Sequence, residues 1–567
     1  MSPHTENAAS ALGGPPIGRG AAALPAGFRI ALDPGTAFWS GGRMATGGAP
    51  WAVVRFGAAA GPGLAALRRA GPRGVAVTSA TARALARRLL DRGLAHPVPE
   101  SRPGPHDVTV VVPAFGRAGE LDRCLAAVEG ARVIVVDDGS PDPGELRRVA
   151  AAHGARLVRH RRNRGPAAAR NTGARLADTP FVAFVDSDCR PEPGWLDILM
   201  PRFDDPMVAA VGPRVVPRPA GPDPTVVTPA ILGGRVAAAA DPRDVAANLV
   251  PSAAAVTGDG LLARYEAARS ALDMGSRPAL VRPGARLGFV PTATLVVRVA
   301  AVRGLVFDEA LRLGEDVDFV WRLTDRGWHV RYAPEARVAH TARLEPVAWA
   351  RRRHEYGTSA AALADRHPGR LAPARPSAWN LAVLACLASG RPLPAAACAA
   401  LATGLLARGL RGSPGRWTMS AAIVGQGAVA DAAAIGHALR REWWPLGLLC
   451  LAASGANGAA RAGAAAMLAP VAAEWLTDRP AVDLIRYTAL RLVDDLAYGS
   501  GVTASAWRHR SPAPLLPRVR LPLPGRRRRR LGAAGPPGGD KGRGVPGSPA
   551  REAGGPRRSG ASTGAGA

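Results

Sequence analysis

The densest apolar patterning in the chain begins at Val108. VTVVVPAF (108–115) is an apolar run closing in turn residues, Gly119–Val128 carries helical spacing, and RVIVVDDGS (132–140) is a second apolar run ending in acids and a turn. Glu145–Ala155 reads as a helix, RLVRH (156–160) as a short strand, PAAARNTGARLA (166–177) as a helix opening at Pro166, and FVAFVDSD (181–188) as a further strand. Continuous apolar strands alternating with helices predict an α/β fold. Its parallel sheet is covered on both faces and binds ligands beyond the carboxyl ends of the strands. Asp137, Asp138, Asp186 and Asp188 fall at those ends.

The flanking text obeys other rules. Residues 28–54 alternate short apolar runs with DPG, SGG and TGG turns, the pattern of hairpins. Next, Ala82, Leu85, Leu89 and Leu90 share one helical face behind a Ser79 or Thr81 cap, and Gly93 ends the helix. Hairpins beside short helices suggest a small α+β module of winged-helix type over 23–100, after a Gly/Ala/Pro tail (1–22). The sheet domain then occupies 106–345. Beyond Ala378, apolar Ala-rich stretches run over Trp379–Ser389, Leu393–Leu406, Thr418–Leu439 and Trp443–Ala460. They lie near or below the roughly 20 residues a spanning helix needs. Membrane-embedded or interfacial helices and a soluble helical bundle therefore both stay open for 346–510.

Composition adjusts this picture in three ways. The chain has 567 residues, with 73 Lys+Arg against 44 Asp+Glu and a formal charge of +29. Lys541 is the only lysine, and the arginines accompany 67 Gly and 53 Pro, a bias expected of GC-rich coding that weakens the charge as a nucleic-acid signal. From Arg508 onward there are 14 basic residues against Asp540 and Glu552, so 511–567 reads as a basic disordered tail suited to an anionic lipid surface. The five cysteines are scattered without a CxxC spacing, which excludes a disulfide framework and a zinc site and fits a reducing compartment. The first twenty residues have neither a charged nor an apolar leader segment. The expected location is the cytoplasm or the cytoplasmic side of the cell membrane.

Strand alternation through DSD would point Asp186 and Asp188 to one side, where two carboxylates can hold a hard divalent cation, Mg²⁺ or Mn²⁺, that bridges a phosphate-bearing substrate. Alone, such a pair reads equally as a solvated turn. Its company is what matters: VVVPAFGR (110–117), VVDDGSPD (135–142), RNRGPAAARNTG (162–173), FVAFVDSD (181–188) and LGEDVDFVWRLTDRGW (313–328) occur in this order along the chain. The sequence from Asp107 to Arg343 resembles the family 2 glycosyltransferases, whose GT-A fold is a nucleotide-binding parallel-type sheet flanked by helices.

That resemblance implies roles for particular residues. Pro113, Ala114 and Phe115 would pack against the uracil of a UDP-sugar, and Asp137 and Asp138 would form the acidic pair whose second member takes a hydrogen bond from the base or ribose. Arg170 and Asn171 would line the nucleotide pocket. Asp186 and Asp188 become the D-x-D, with Asp188 the more direct metal ligand, and His340, in PEARVAH, a further metal or diphosphate ligand. Glu315 and Asp316 fall on the acceptor side. Asp316 would be the base that takes the acceptor proton during inversion, while Glu315 orients the site or caps the following helix. Trp321 and Trp328 are expected in the core.

Within the family, the N-terminal LPAGFRIALDPGT, the VTVVVPAFGR entry and LGEDVDFVWRL resemble the branch serving the mycofactocin systems of actinobacteria. That branch implies glucose transfer from UDP-glucose to a redox cofactor derived from a ribosomal peptide, and a PqqD-like peptide-recognition role for the N-terminal module. A cell-envelope polysaccharide or lipid-linked acceptor would share the same motifs. A nucleic-acid-binding protein, the rival from a different class, gives the six motif acids Asp137, Asp138, Asp186, Asp188, Glu315 and Asp316 no role, since they repel phosphates. The oligomeric state is left open.

Overall fold

A computed structural model of the chain describes residues 23–218, 260–304 and 306–521. The expected N-terminal tail and the arginine run Arg526–Arg530 lie outside the described residues.

The first strands, β1 (Arg29–Leu32), β2 (Ala37–Trp39), β3 (Met44–Gly47), β4 (Ala52–Arg55), β5 (Val75–Ala76) and β6 (Ala95–Pro97), form two antiparallel three-stranded sheets, β5-β1-β6 and β2-β3-β4. The helix Ala80–Asp91 starts at Ser79, whose side chain accepts the Ala82 amide, and buries Ala86, Leu89 and Leu90. Together with Phe28, Ile30, Leu64 and Leu67 they close a core of their own.

The central sheet comprises β7 (Val108–Ala114), β8 (Arg132–Asp137), β9 (Arg156–Arg159), β10 (Phe181–Val185), β11 (Cys189–Pro191), β12 (Val208–Arg218), β13 (Ala279–Val281), β14 (Thr294–Arg298) and β15 (His329–Thr341). Its order is β9-β8-β7-β10-β14-β12-β15-β11, with β13 added on β15. Along β7 the period of two is explicit: Val108, Val110 and Val112 pack into one apolar cluster and Val111 into another on the opposite face. β10 divides likewise, Ala183 and Val185 against Val182 and Phe184. Burial on both faces is why these strands read as unbroken apolar runs.

The expectation of a parallel sheet holds for β9-β8-β7-β10, whereas β14 runs antiparallel to both β10 and β12. β14 lies well past the stretch of sequence that carries the strand-helix alternation.

Past β15, the helix Pro346–Gly357 crosses the long helix Leu484–His509 at very close range. A Cβ on Gly357 would stand 2.1 Å from the Tyr498 carbonyl oxygen, and one on Gly501 would stand 2.0 Å from that of His354, so both positions exclude any larger residue. The apolar stretches form helices Ala378–Ala388, Pro392–Gly409, Arg416–Arg440, Trp444–Ala452 and Gly458–Asp478. The chain expected to be tail from 511 is paired with the body as far as Arg520, whose amide donates to the Pro376 carbonyl and whose carbonyl accepts from Ala378.

Candidate active site

The carboxyl ends of β8 and β10 carry the acids, and the structure uses them in two ways. Asp137 is fully buried; its Oδ1 accepts the Ser140 amide (2.8 Å) and its Oδ2 accepts Arg159 Nη1 (2.6 Å). Asp138, 4% exposed, accepts from His160 Nδ1 (2.7 Å) and from the amides of Arg164 (3.0 Å) and Gly165 (2.7 Å). Between them and the next segment, Gly139 holds φ +79° where a Cβ would stand 2.6 Å from the Arg162 carbonyl carbon. The Asp138 carboxylate, expected to accept a hydrogen bond from base or ribose, is buried in this structure and ties the 160–165 segment to the end of β8. Beside it, Phe115 is half exposed, Pro113 partly buried and Ala114 buried, so Phe115 is the open apolar surface at this edge.

Arg170 and Asn171 part company. Asn171 is buried; its Nδ2 donates to the Phe307 carbonyl (2.9 Å) and to Glu309 (3.0 Å), and its Oδ1 accepts the Phe307 amide (2.8 Å). It pins the 307–309 segment and does not line the cavity that Arg170 faces. Arg170, on the same helix, does face that cavity. Its Nη2 donates to Asp186 (2.6 Å) and its Nη1 to Glu315 (2.8 Å), with the guanidinium 5.6 Å from the Phe307 ring centre.

Asp186 and Asp188 share the cavity, though not through strand alternation. β10 ends at Val185, and a turn closed by the Cys189 amide on the Asp186 carbonyl (2.9 Å) presents both side chains. The following β11 pairs with β15 in the register Cys189↔His340, which sets His340 Nε2 3.6 Å from Asp188 Oδ2. Both side chains are about one-fifth exposed. Burial is the largest influence on the Asp188 carboxyl, but His340 and Arg117 outweigh it and hold the group below its ordinary range. Asp186 is pushed the other way by burial and by Asp188 and Glu315, against the pull of Arg170.

Glu315 and Asp316 open the helix Glu315–Asp325 behind Gly314, which takes φ +81°. Acids in a first turn complement the helix dipole, and Asp318, third of the group, is spent on His367 Nε2 (2.9 Å) and Arg322 (2.7 Å). Glu315 is held by Arg170. Asp316, half-buried in the cavity, has one hydrogen bond among the described residues, from its neighbour's amide at Val317 (2.8 Å). Burial, then the Glu315 charge, raise its carboxyl to about 7. Trp321 and Trp328 are buried, and Trp321 Nε1 donates to the Gly288 carbonyl.

The cavity itself has a volume of about 510 Å³. One end is lined by Arg170, Asp186, Asp188, Glu315, Asp316 and His340; the other is walled by Arg352, Tyr356, Arg441 and Tyr498. In this second wall the Arg352 and Arg441 guanidinium groups stand 4.7 and 3.7 Å from the ring centres of Tyr356 and Tyr498. Sequence reasoning missed these four residues because it set everything past 345 apart as a helical region outside the site. RRRHEYG (351–357), a polar helix directly after the sheet domain, was the available signal.

The sequence is similar to those of known proteins. The family model Glycosyl transferase family 2 matches residues 109–239 and Glycosyl transferase family group 2 matches 223–445. The chain is 36% identical over 509 residues to the "Pre-mycofactocin glycosyltransferase" of Mycobacterium tuberculosis, covering 88% of this chain and 99% of that one. The succinoglycan biosynthesis protein ExoU of Rhizobium meliloti is 27% identical over 234 residues, 39% of this chain and 58% of its own. Among solved structures, the mannosyltransferase PcManGT from Pyrobaculum calidifontis, in complex with GDP-Man and Mn²⁺, is 22% identical over 57% of this chain and 86% of that one, with a TM-score of 0.31.

Proposed function

Because the chain belongs to the family 2 glycosyltransferases, and so transfers a sugar from a nucleotide-sugar donor to an acceptor, we propose that it moves glucose from UDP-glucose, with inversion, to a hydroxyl of a peptide-derived redox cofactor of the pre-mycofactocin class. One observation carries the mechanistic part. Of the four carboxylates at the strand-end of the cavity, Asp186 and Glu315 are tied to Arg170 and Asp188 faces His340, whereas Asp316 is left with a single amide donor and a raised proton affinity. Asp316 is the base that takes the acceptor's proton as its oxygen attacks the anomeric carbon from the face opposite the leaving nucleotide. Arg170 and Glu315 orient that end of the cavity.

The fit of a divalent cation rests on the donor set. Among the described residues no group of three His, Cys, Asp or Glu side chains is assembled to hold a metal. A carboxylate and an imidazole, Asp188 and His340, do face each other without full partners, which suits an ion taking its remaining ligands from the donor diphosphate and water; Asp186 has one oxygen engaged by Arg170. When bound, Mg²⁺ or Mn²⁺ would neutralise charge on the departing diphosphate. The acceptor enters through the end walled by Arg352, Tyr356, Arg441 and Tyr498, and Phe115 offers a face to the donor's base. The relative's name and its match along nearly its whole length support the choice of acceptor.

The test incubates the purified chain with Mn²⁺, a panel of UDP-sugars, and either the peptide-derived acceptor or a lipid-linked one, following UDP release and the anomeric configuration of the product. Turnover of UDP-glucose with the peptide-derived acceptor and an inverted linkage is expected. Preference for the lipid-linked acceptor would replace the acceptor assignment, and a retained configuration would remove the base.

A further inference from the structure

The helices beyond residue 377 present a surface that the transfer reaction does not use. Two of them, Ala378–Ala388 (AWNLAVLACLA) and Trp444–Ala452 (WPLGLLCLA), are apolar almost all round, the pattern of a helix enclosed by apolar matter. Yet the first buries only Asn380 and Val383, and the second only Gly447. Leu387, Leu393, Leu448 and Leu449 are 53, 82, 50 and 64% exposed. These residues belong to one end of the bundle. A Cβ on Gly458, at the start of the helix Gly458–Asp478, would stand 3.8 Å from the Ala388 carbonyl oxygen, and one on Gly463 would stand 2.9 Å from Cys450 Sγ.

Charge on this surface has a single sign. From Ala378 to Ala473 the only acids are Asp431 and Glu442. Asp431 is buried, accepting from the Ser377 amide and Asn380 Nδ2, and the Glu442 side chain is 13% exposed beside Arg441. The exposed charges at this end are arginines, Arg391 beside Leu393 and Arg461 between Gly458 and Gly463, whereas Arg408 and Arg411 stand at the far end of the helix Pro392–Gly409. Leucines at a tip with arginines and no exposed acid around them match a bilayer whose headgroups are anionic, because the apolar side chains enter the acyl boundary while the guanidinium groups stay with phosphate.

We propose that this end of the helical region docks onto an anionic lipid bilayer and enters only its interfacial layer. The helix Arg416–Arg440 is long and apolar enough to span, but it is tied into the body. Asp431 near its middle bonds Asn380 (2.6 Å), and Arg440 at its end forms a buried ion pair with Asp495 (2.8 Å) of the helix that crosses Gly357. A spanning arrangement would carry Asp431 and its partner Asn380 to acyl depth, where a carboxylate is costly.

Flotation of the purified full-length chain with phosphatidylcholine vesicles, with and without about 30% phosphatidylglycerol and at about 0.1 and 0.5 M salt, reads the docking directly. The expected result is flotation with the anionic vesicles, substantially retained at the higher salt. The double variant Leu448→Gln/Leu449→Gln should cut the bound fraction about tenfold or more, as loss of two inserted leucines requires. Leu393→Gln, on another helix, should cut it several-fold and keeps the test alive if the double variant does not melt like the wild type. Replacing Arg526–Arg530 by glutamine should leave salt-resistant binding in place. The proposal falls if the leucine variants float as the wild type does, or if all binding disappears at high salt, which would leave only the tail's charge. It falls equally if the chain resists alkaline extraction, the mark of a span, or if it ignores vesicles and self-associates through this face.

Discussion

Two pairs of acids stand at the same edge of one sheet and do different work. Asp137 and Asp138 at the end of β8 are buried and occupied by Ser140, Arg159, His160 and two backbone amides. Asp186 and Asp188, just past the end of β10, face a cavity together with Glu315 and Asp316, and there the donors run out before the acceptors do. The difference lies in the chain that meets each strand end. At β8 the 160–165 segment comes alongside, and its amides converge on the carboxylate. At β10 the chain turns into β11 and opens onto the start of the Glu315–Asp325 helix. An acid whose oxygens are satisfied holds a loop; one that is half-buried and short of donors is available for proton transfer.

The two pairs separate most sharply at Asp316. Asp316→Asn keeps shape and burial but removes the base, so turnover should fall about 10³-fold, within the range for a lost general base, while the UDP-sugar still binds with near wild-type affinity in calorimetry. Full turnover in that variant would place the base elsewhere. At the other pair the same logic predicts a folding effect. Asp138→Ala leaves His160 and two buried amides without an acceptor and should cost about 2–4 kcal/mol, read from denaturant unfolding. A variant of unchanged stability with a raised KM for the donor would restore Asp138 as a nucleotide ligand.

Next comes pH. Asp316 serves as a base only when ionised, so with its carboxyl at about 7 the rate should fall about tenfold per pH unit below that point and level off above it. Arg170 draws the Asp316 carboxyl down while burial and Glu315 push it up. Arg170→Met should therefore move the acidic limb of the pH profile to higher pH, and a limb that stays put would detach Asp316 from it. Stability runs in the opposite sense. A carboxyl raised from 3.8 to about 7 in the folded chain binds its proton more tightly than in the unfolded chain, so Asp316 favours folding as pH falls from 7 toward 4, and Asp316→Asn should flatten that slope.

Much of this was legible in the sequence because the local patterns and the tertiary arrangement agree. Unbroken valines announced strands covered on both faces, and the order of acidic motifs announced which strand ends carry chemistry. What stayed hidden depends on contacts between distant segments. Asp138 meets the 160–165 segment, Asn171 meets 307–309, and Arg170, which also holds Asp186, reaches Glu315 across 145 residues of chain. No spacing rule reports whether a carboxylate is already satisfied. The antiparallel β14 and the Arg441–Tyr498 part of the cavity wall were out of reach for the same reason, since each is defined by what it packs against.

The smallest expected effect separates the two regions from the apolar side. Phe115 comes directly after β7 at the Asp137–Asp138 edge and is 50% exposed, so the fold has little use for its ring. Phe115→Ala should shift the unfolding midpoint by less than about 0.5 kcal/mol in free energy. If the ring packs against the donor's base, the substitution should raise the KM for the UDP-sugar about three- to tenfold, the scale of one aromatic contact, with kcat preserved. Because the neighbouring acids are committed to the loop, this ring is the edge's principal candidate for contact with the base. An unchanged KM would mean that the nucleotide lies nearer Asp186 and Asp188, and that the whole β8 edge is scaffold.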